Sequence, residues 1–392
     1  MSSGYELHQK LRTKTVRQVK KKQYDEAIST LHQGALELLS QSEQGSGCDL
    51  AVYMIDVYGI KNQVVDSEAR DRITDILSKA AADFWRKKVI DAAVKWSVKA
   101  SGASTGDPLL RLFIAKLYAH EADFEHAEPH FLASCVQTEQ TYAVESAPKA
   151  YAQAMADWLS AFATQTSQMP GETRNADAIQ RIEAGRFALR ATIPLLANHA
   201  VKAATTFQES YLSTVTARLK SLLLPVQPNP RPYIPPGSAT TSSDLQLYLT
   251  ANADLNFSQI AVALVCEAAK LSRVPDSLRN AWIQLVRQYE KEAPALTHED
   301  AVRAAIPQIG TDWFGLQQQR NQNNMLSDMM ASLFGGPPTS ASGAATEKKH
   351  IQGAGAPPKP LNAPSPNAAQ SSSTSTTSAP ALADDLADDE MD

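Results

Sequence analysis

From about residue 5 to residue 224, apolar side chains recur at steps of three and four with polar residues between them, and no two-residue alternation is sustained. A period of 3.6 collects those positions on one stripe of a helix, so the pattern predicts an all-α body. The spacing sets helices at 6–21, 24–41, 48–60, 67–81, 85–101, 107–120, 123–137, 141–164, 175–194 and 199–223. Connections of a few residues force neighbouring helices to pack antiparallel. Breaks fall at Gly45-Ser46-Gly47, from Ser101 to Gly106, and at Met169-Pro170-Gly171. Asp107-Pro108 reads as a helix opening, with the carboxylate as N-cap and proline where its missing N–H costs nothing.

The stretch PVQPNPRPYIPPGSATTSS, residues 225–243, interrupts this pattern with six prolines in its first twelve residues. Such a run cannot be helix and predicts an extended loop or a small hairpin. Helices resume at 244–251, 255–272, 275–292 and 297–306. A short amphipathic segment at 311–334 carries Trp313, Phe314, Met325, Leu326, Met329, Met330, Leu333 and Phe334. This apolar surface either closes the end of the helical body or waits for a partner, and packing is the expectation. Residues 335–392 are Gly, Pro, Ser, Thr and Ala with an acidic end, too poor in apolar side chains to repay ordering, so a disordered acidic tail is expected. The chain thus divides into 5–224, 225–243, 244–334 and 335–392.

A repeat is visible in LLRLFIAKLYAHEADFEHAEPHFLAS, residues 109–134. Ile114, Ala115 and Tyr118 share one face of a first helix, and Ala127, Phe131 and Ser134 one face of a second. These offsets match a tetratricopeptide pair, in which a small residue admits the neighbouring helix and an aromatic fills the space beside it. Arg111 stands where that motif often has Trp, and Pro129 should bend the start of the second helix. Weaker echoes appear at Tyr24, Ala27, Leu31 and Gly34, and around Ala92 and Trp96. Ala92 to Ala127 is 35 residues and Ala27 to Ala92 is 65, near two such periods. The expectation is a degenerate α-solenoid, each helix pair burying its face on the next and offering broad surfaces to other proteins.

Composition adds limits. With 43% hydrophobic residues in 392, a sizeable core can form. The three cysteines, Cys48, Cys135 and Cys266, make no CxxC pair, which argues against a disulfide framework and a structural zinc site and fits a reducing, cytosolic setting. No signal-like h-region and no run of about 18 apolar residues occurs, so neither secretion nor direct membrane insertion is expected, and the sequon-like Asn256-Phe257-Ser258 is read as incidental. Net charge is −5, but basic residues crowd the start and Asp384, Asp385, Asp388, Asp389, Glu390 and Asp392 the end.

Candidate chemistry is sparse. HEADFEHAEPH, residues 120–130, sets His126 and His130 at i, i+4, but lacks the HExxH general base, and His120 belongs to the preceding helix. It reads as a solvated repeat turn, with Asp123 as cap and Glu125 and Glu128 favoured by the helix dipole. No phosphate-cradling GxxxxGK[ST] loop, GxGxxG or GxSxG occurs, so no catalytic, cofactor or metal residue is assigned and the expectation is a protein that is not an enzyme. KLRTKTVRQVKKK, residues 10–22, is the informative charge run. On a helix Leu11, Val16 and Val19 cover an inner side while Lys10, Lys14, Arg17 and Lys21 form an outer stripe. A solvated face, a dock for an acidic protein, and an RNA or membrane phosphate surface stay open, the last disfavoured because no aromatic or glycine residues interleave.

Taken in order, GDPLLRLFIAKLYAHEADFEHAEPHFL with its His130-Phe131-Leu132, the LNF at 255–257 after the proline-rich stretch, and DWFG followed by MLSDMMASLFGG resemble the helical-repeat adaptor family of the guided-entry pathway for tail-anchored membrane proteins, in its fungal form. The resemblance covers about residues 5–335. It implies a right-handed α-solenoid acting as a cytosolic, non-enzymatic bridge without cofactor. One partner is a dimeric targeting ATPase docked at 5–60, where Arg12, Lys14, Arg17, Lys20 and Lys21 are the candidates by position. The other is the N-terminal segment of a ubiquitin-like-domain protein, held in the 244–334 half around Tyr248, Leu255 and Phe257. Through it a co-chaperone and chaperone with tail-anchored client are engaged indirectly, with no nucleic acid involved. The family's hairpin could be supplied by 226–243. A generic TPR-like scaffold subunit of another complex is the alternative; the tail past 335 departs from shorter members of the family.

Overall fold

A computed structural model describes residues 4–238 and 245–317. The expectations for Met325 to Phe334 and for the tail at 335–392 lie outside the described residues. Ten helices follow one another first: α1 (Gly4–Lys20), α2 (Tyr24–Ser40), α3 (Gln44–Lys61), α4 (Ser67–Lys79), α5 (Phe84–Ser101), α6 (Pro108–His120), α7 (Phe124–Cys135), α8 (Ala147–Ser167), α9 (Ala176–Ala197) and α10 (Val201–Arg218). Two short strands, β1 (Arg231–Pro232) and β2 (Gln246–Leu247), precede α11 (Ala253–Lys270), α12 (Asp276–Glu292), α13 (Ala295–His298) and α14 (Asp300–Phe314). Each helix packs on the next, and α3 also reaches α1 and α5 while α9 also reaches α11. The fold is an all-α solenoid of stacked helix pairs whose buried apolar residues run as one cluster from Ile28 to Phe314.

The repeat residues fall where the spacing puts them: Ala27, Leu31, Ile114, Ala115, Tyr118, Ala127 and Phe131 are all buried. Ala92 is half-buried and its neighbour Ala93 takes the inner position, so the register of that echo shifts by one residue. On α1 Leu11 and Val19 pack against the core as the spacing expects and Thr15 is buried with them, whereas Val16 stays 38% exposed. Gly45-Ser46-Gly47 does not break the chain but opens α3, because a Cβ on Gly47 would stand 2.7 Å from Leu39 Cγ and its absence lets α3 lie on α2. The helix expected from 141 begins at Ala147. Residues 297–306 are divided between α13 and α14, and α14 continues through Pro307 to Phe314.

The largest departure is at 244–251. Instead of a helix, residues 245–251 are the return limb of a hairpin whose first limb is the proline-rich stretch. Arg231 lies opposite Leu247 and Pro232 opposite Gln246, and the ladder is extended by Leu224 N–H donating to Leu249 O at 2.9 Å and Ala251 N–H to Leu222 O at 3.0 Å. Proline is tolerated because the ribbon is two-stranded and needs few ladder donors from it.

Helix α9 is the axis of the C-terminal half. Except at its first turns it is buried all round, against α7, α8, α10, α11, α13 and α14, so it carries no amphipathic stripe. Burial takes Arg186 and Arg190 inside, and buried charges must be paired. Arg190 donates to Glu128 from Nε at 3.1 Å and Nη2 at 2.6 Å, lies over the Trp158 ring, and stands 3.5 Å from Glu299, which also receives Arg186. Burial opposes the charge of Arg190, but Glu128 and Glu299 more than offset it and raise its pKa. Glu128 is therefore no solvated dipole partner, as its place in HEADFEHAEPH suggested; it ties α7 to α9.

Candidate partner-docking surfaces

Helix α1 presents its charges in two directions. Lys10, Lys14, Arg17 and Lys21, with Gln9 and Thr13, line one shallow open groove, the outer stripe expected from the spacing. Lys20 is exposed beside it. Arg12 points the other way: its Nη1 donates to Asp49, which also holds His8 at 2.8 Å, and its guanidinium sits 5.3 Å over the Tyr53 ring. Thus four cations converge, and Arg12 instead fastens α1 to α3.

At the hairpin, Tyr248 is half-buried and its peptide is gripped by Gln259, whose Oε1 accepts from Tyr248 N at 2.8 Å and whose Nε2 donates to Tyr248 O at 3.0 Å. Leu255 and Phe257 are fully buried, Phe257 with its ring 5.7 Å from that of Tyr289. This corrects their placing as partner contacts: they are the core that supports the surface, and no partner can reach them in the folded chain. The apolar side chains offered here are Leu224 and Ile234, 40% and 45% exposed. Sequence reasoning passed over both, although Ile234 between Tyr233 and Pro235 has no periodic partner, which is a legible sign of an unburied apolar residue.

Exposed aromatics form a further patch. Phe84 and Trp85 open α5 with ring centroids 5.5 Å apart, and the Lys88 ammonium lies 4.5 Å and 4.7 Å from them. In the histidine cluster, His126 Nδ1 meets Asp123 at 2.8 Å, while His130 is half-buried, its Nδ1 accepting from Arg111 at 3.1 Å. Burial pushes His130 down to about 3, so it stays neutral, and lowers Arg111 to about 10. Arg111 also donates to Thr105 O at 2.7 Å, which fills the motif's usual Trp position with a polar anchor. Among the described residues no three metal-binding side chains cluster, and no helix is long and apolar enough to cross a membrane.

With this architecture in view, the sequence pattern of Golgi to ER traffic protein 4 matches residues 21–334. The chain belongs to the Golgi to ER traffic protein 4 family. The Schizosaccharomyces pombe member is 27% identical over 335 residues, covering 85% of this chain and 92% of the relative. The Aspergillus fumigatus member is 31% identical over 153 residues, 36% of this chain and 44% of that one. Among solved structures, that of C. therm. Get4 superposes with a TM-score of 0.62 at 25% identity, over 87% of this chain and 93% of that one. The family is one of traffic factors, and the matched span holds the hairpin and α11 to α14, while the α1 stripe lies just ahead of it apart from Lys21.

Proposed function

We propose that the chain is a non-enzymatic adaptor in targeting tail-anchored membrane proteins to the endoplasmic reticulum, working in the cytosol. It bridges a targeting ATPase dimer, docked at the α1 stripe, and the N-terminal segment of a ubiquitin-like-domain protein, held at the hairpin and α11. The client arrives on a chaperone and co-chaperone carried by that second partner. Simultaneous engagement raises the effective concentration of one partner beside the other, and no bond need be made or broken.

The observation that carries this reading is the convergence of Lys10, Lys14, Arg17 and Lys21 on one solvent-open groove, in a chain of this family. Four exposed cations at helical spacing favour an acidic protein surface and set the encounter rate more than the final affinity. Lys14, Arg17, Lys20 and Lys21 are the proposed contacts, with Arg12 acting by holding α1 in place. Tyr248 borders the second surface. Affinity purification of the full chain and of a variant with Arg17→Glu and Lys21→Glu tests the assignment: the ATPase is lost from the variant and the ubiquitin-like partner is retained. Retention of both partners at low salt would sink it.

A further inference from the structure

Two hydroxyl side chains stand three residues after an arginine: Thr15 after Arg12 and Ser221 after Arg218. That spacing is a charge pattern that basic-directed protein kinases read, and the fold separates the two positions. Thr15 is fully buried, and its hydroxyl donates within α1 to Leu11 O at 2.9 Å and Arg12 O at 3.0 Å. A phosphate there would be enclosed where α1 packs on α2 and α3, a burial of charge that closure of α1 does not permit.

Ser221 is placed differently. It lies in the link between α10 and the hairpin, within a single 3₁₀ turn, Lys220–Leu222, whose flanking residues Leu219 and Leu223 have left helical geometry. Leu219 and Leu222 are buried and hold the turn in place, which leaves Arg218, Lys220 and Ser221 as its exposed face. Arg218 is engaged by an exposed pair, Nη2 donating to Asp157 at 2.9 Å and Nη1 to Ala156 O at 3.4 Å, which a docking kinase exchanges at small cost. The turn is closed by Leu222 N–H donating to Leu219 O at 3.0 Å and Leu223 N–H to Lys220 O at 3.2 Å, so opening it for an extended substrate cleft breaks few bonds.

We propose that Ser221 is a phosphorylation site for a protein kinase that reads Arg218 and Lys220, and that its phosphate weakens docking at the hairpin. In the transfer an Oγ–P bond forms on Ser221 and the bond from the γ-phosphorus of ATP to the bridging oxygen breaks; ADP leaves, and the hydroxyl proton passes to the kinase's base. The product adds about −1.5 to −2 charge at the foot of the hairpin, three residues before Leu224. Leu224 is 40% exposed and its N–H pairs with Leu249 O, so an apolar contact offered to a partner gains a strongly hydrated neighbour. Helix α1 packs on α2 and α3, far along the solenoid, and its stripe is unaffected. The regulatory half of the proposal rests on the bridging reading, which puts the ubiquitin-like partner at the hairpin; the site itself does not.

The full chain is incubated with ATP, Mg²⁺ and the catalytic subunit of cyclic-AMP-dependent protein kinase, and the phosphate is located by fragmentation mass spectrometry. A phosphate on Ser221 is expected; Ser221→Ala removes it, and Arg218→Ala lowers its initial rate about ten-fold. The phosphorylated chain is then expected to bind the ubiquitin-like-domain protein about ten-fold more weakly than the Ser221→Ala chain treated alike, while both bind the ATPase equally. Absence of phosphate from Ser221, its appearance on Thr15 instead, or full phosphorylation of Ser221 with unchanged affinity would overturn the inference. An untreated chain that does not bind the ubiquitin-like-domain protein would sink the bridging reading and the regulatory half with it, and the phosphate map still decides the site. Circular dichroism on each variant verifies that the body is folded.

Discussion

Asn252 and Gly185 share one space where α11 crosses α9. The Asn252 side-chain oxygen lies 2.2 Å from the point a Cβ on Gly185 would occupy, and the Leu255 backbone nitrogen lies 2.3 Å from it. The same Asn252 caps α11 by accepting from Leu255 N at 2.9 Å, and donates to Arg181 O at 2.9 Å and Ile182 O at 2.8 Å. One side chain therefore starts α11 and fastens it to α9. In an open helix Gly→Ala gains about 1 kcal/mol, but here the new methyl meets rigid backbone, and overpacking of this kind costs about 1–3 kcal/mol or more. Gly185→Ala is expected to lower stability by about 2 kcal/mol in urea denaturation. An unchanged or raised midpoint would show that the crossing is looser.

Lys22, Ser42, Ala122 and His199 give a second prediction. Each sits at positive φ in a three-residue link between helices, and the residue after it donates its N–H back five positions, to Gln18, Leu38, Tyr118 and Leu195. The link is one geometry used four times, with no glycine at the left-handed position, where an L-residue costs about 1–2 kcal/mol. Glycine's greater freedom in the unfolded chain returns part of that. Ala122→Gly should thus raise stability by about 0.5–1 kcal/mol, read as a higher thermal midpoint; a fall would refute the strain.

The buried Asp254 and the half-buried His130 make stability depend on pH in opposite senses. Burial, against a backbone N–H from Ala295, pushes the Asp254 carboxyl up to about 7 from its ordinary 3.8. Its stabilising contribution is complete below the ordinary value and fades as pH rises towards 7. His130, lowered to about 3 from 6.5, contributes fully above 6.5 and loses that as pH falls. Asp254→Asn should therefore gain on the wild type, by on the order of 2 kcal/mol, between about pH 5 and pH 8. His130→Asn, which keeps an acceptor for Arg111, should gain similarly on going from about pH 6.5 down to pH 4.5. Parallel stability curves for wild type and both variants would contradict these assignments.

The two faces of α1 should respond differently to charge reversal. Arg12→Glu sets a carboxylate against Asp49 and should loosen α1, lowering the thermal midpoint, whereas Lys14→Glu changes only an exposed face and should leave it within about 0.5 kcal/mol of wild type. Equal effects of the two on stability would mean that Arg12 does not anchor the helix.

Much of this architecture was legible because amphipathic helices write their own period. Ala27, Ala127 and Phe131 could be picked as inner residues from spacing alone, and the charged groove of α1 from i, i+4 steps. What spacing could not show is what tertiary contact decides. α9 is buried all round, so neither its ion pairs nor Gly185 has a periodic signature, and Glu128 looked solvated because its partner Arg190 is 62 residues away. The resemblance sets Leu255 and Phe257 at a partner surface, from their position after the proline stretch, but both are apolar residues of α11 and pack inside. The hairpin's return limb is a run of mixed residues that reads as helix until its pairing with the proline stretch is seen.

The bridging account is tested most directly by reconstituting the whole assembly. The ubiquitin-like-domain protein is immobilised, the dimeric targeting ATPase is supplied with nucleotide, and the full chain or its Arg17→Glu, Lys21→Glu variant is added at low and at high salt. The account predicts that ATPase is retained only when the wild-type chain is present, that retention falls as salt screens the α1 stripe, and that the variant binds the immobilised partner yet retains no ATPase. ATPase held equally by the variant, or held without the chain, would contradict it.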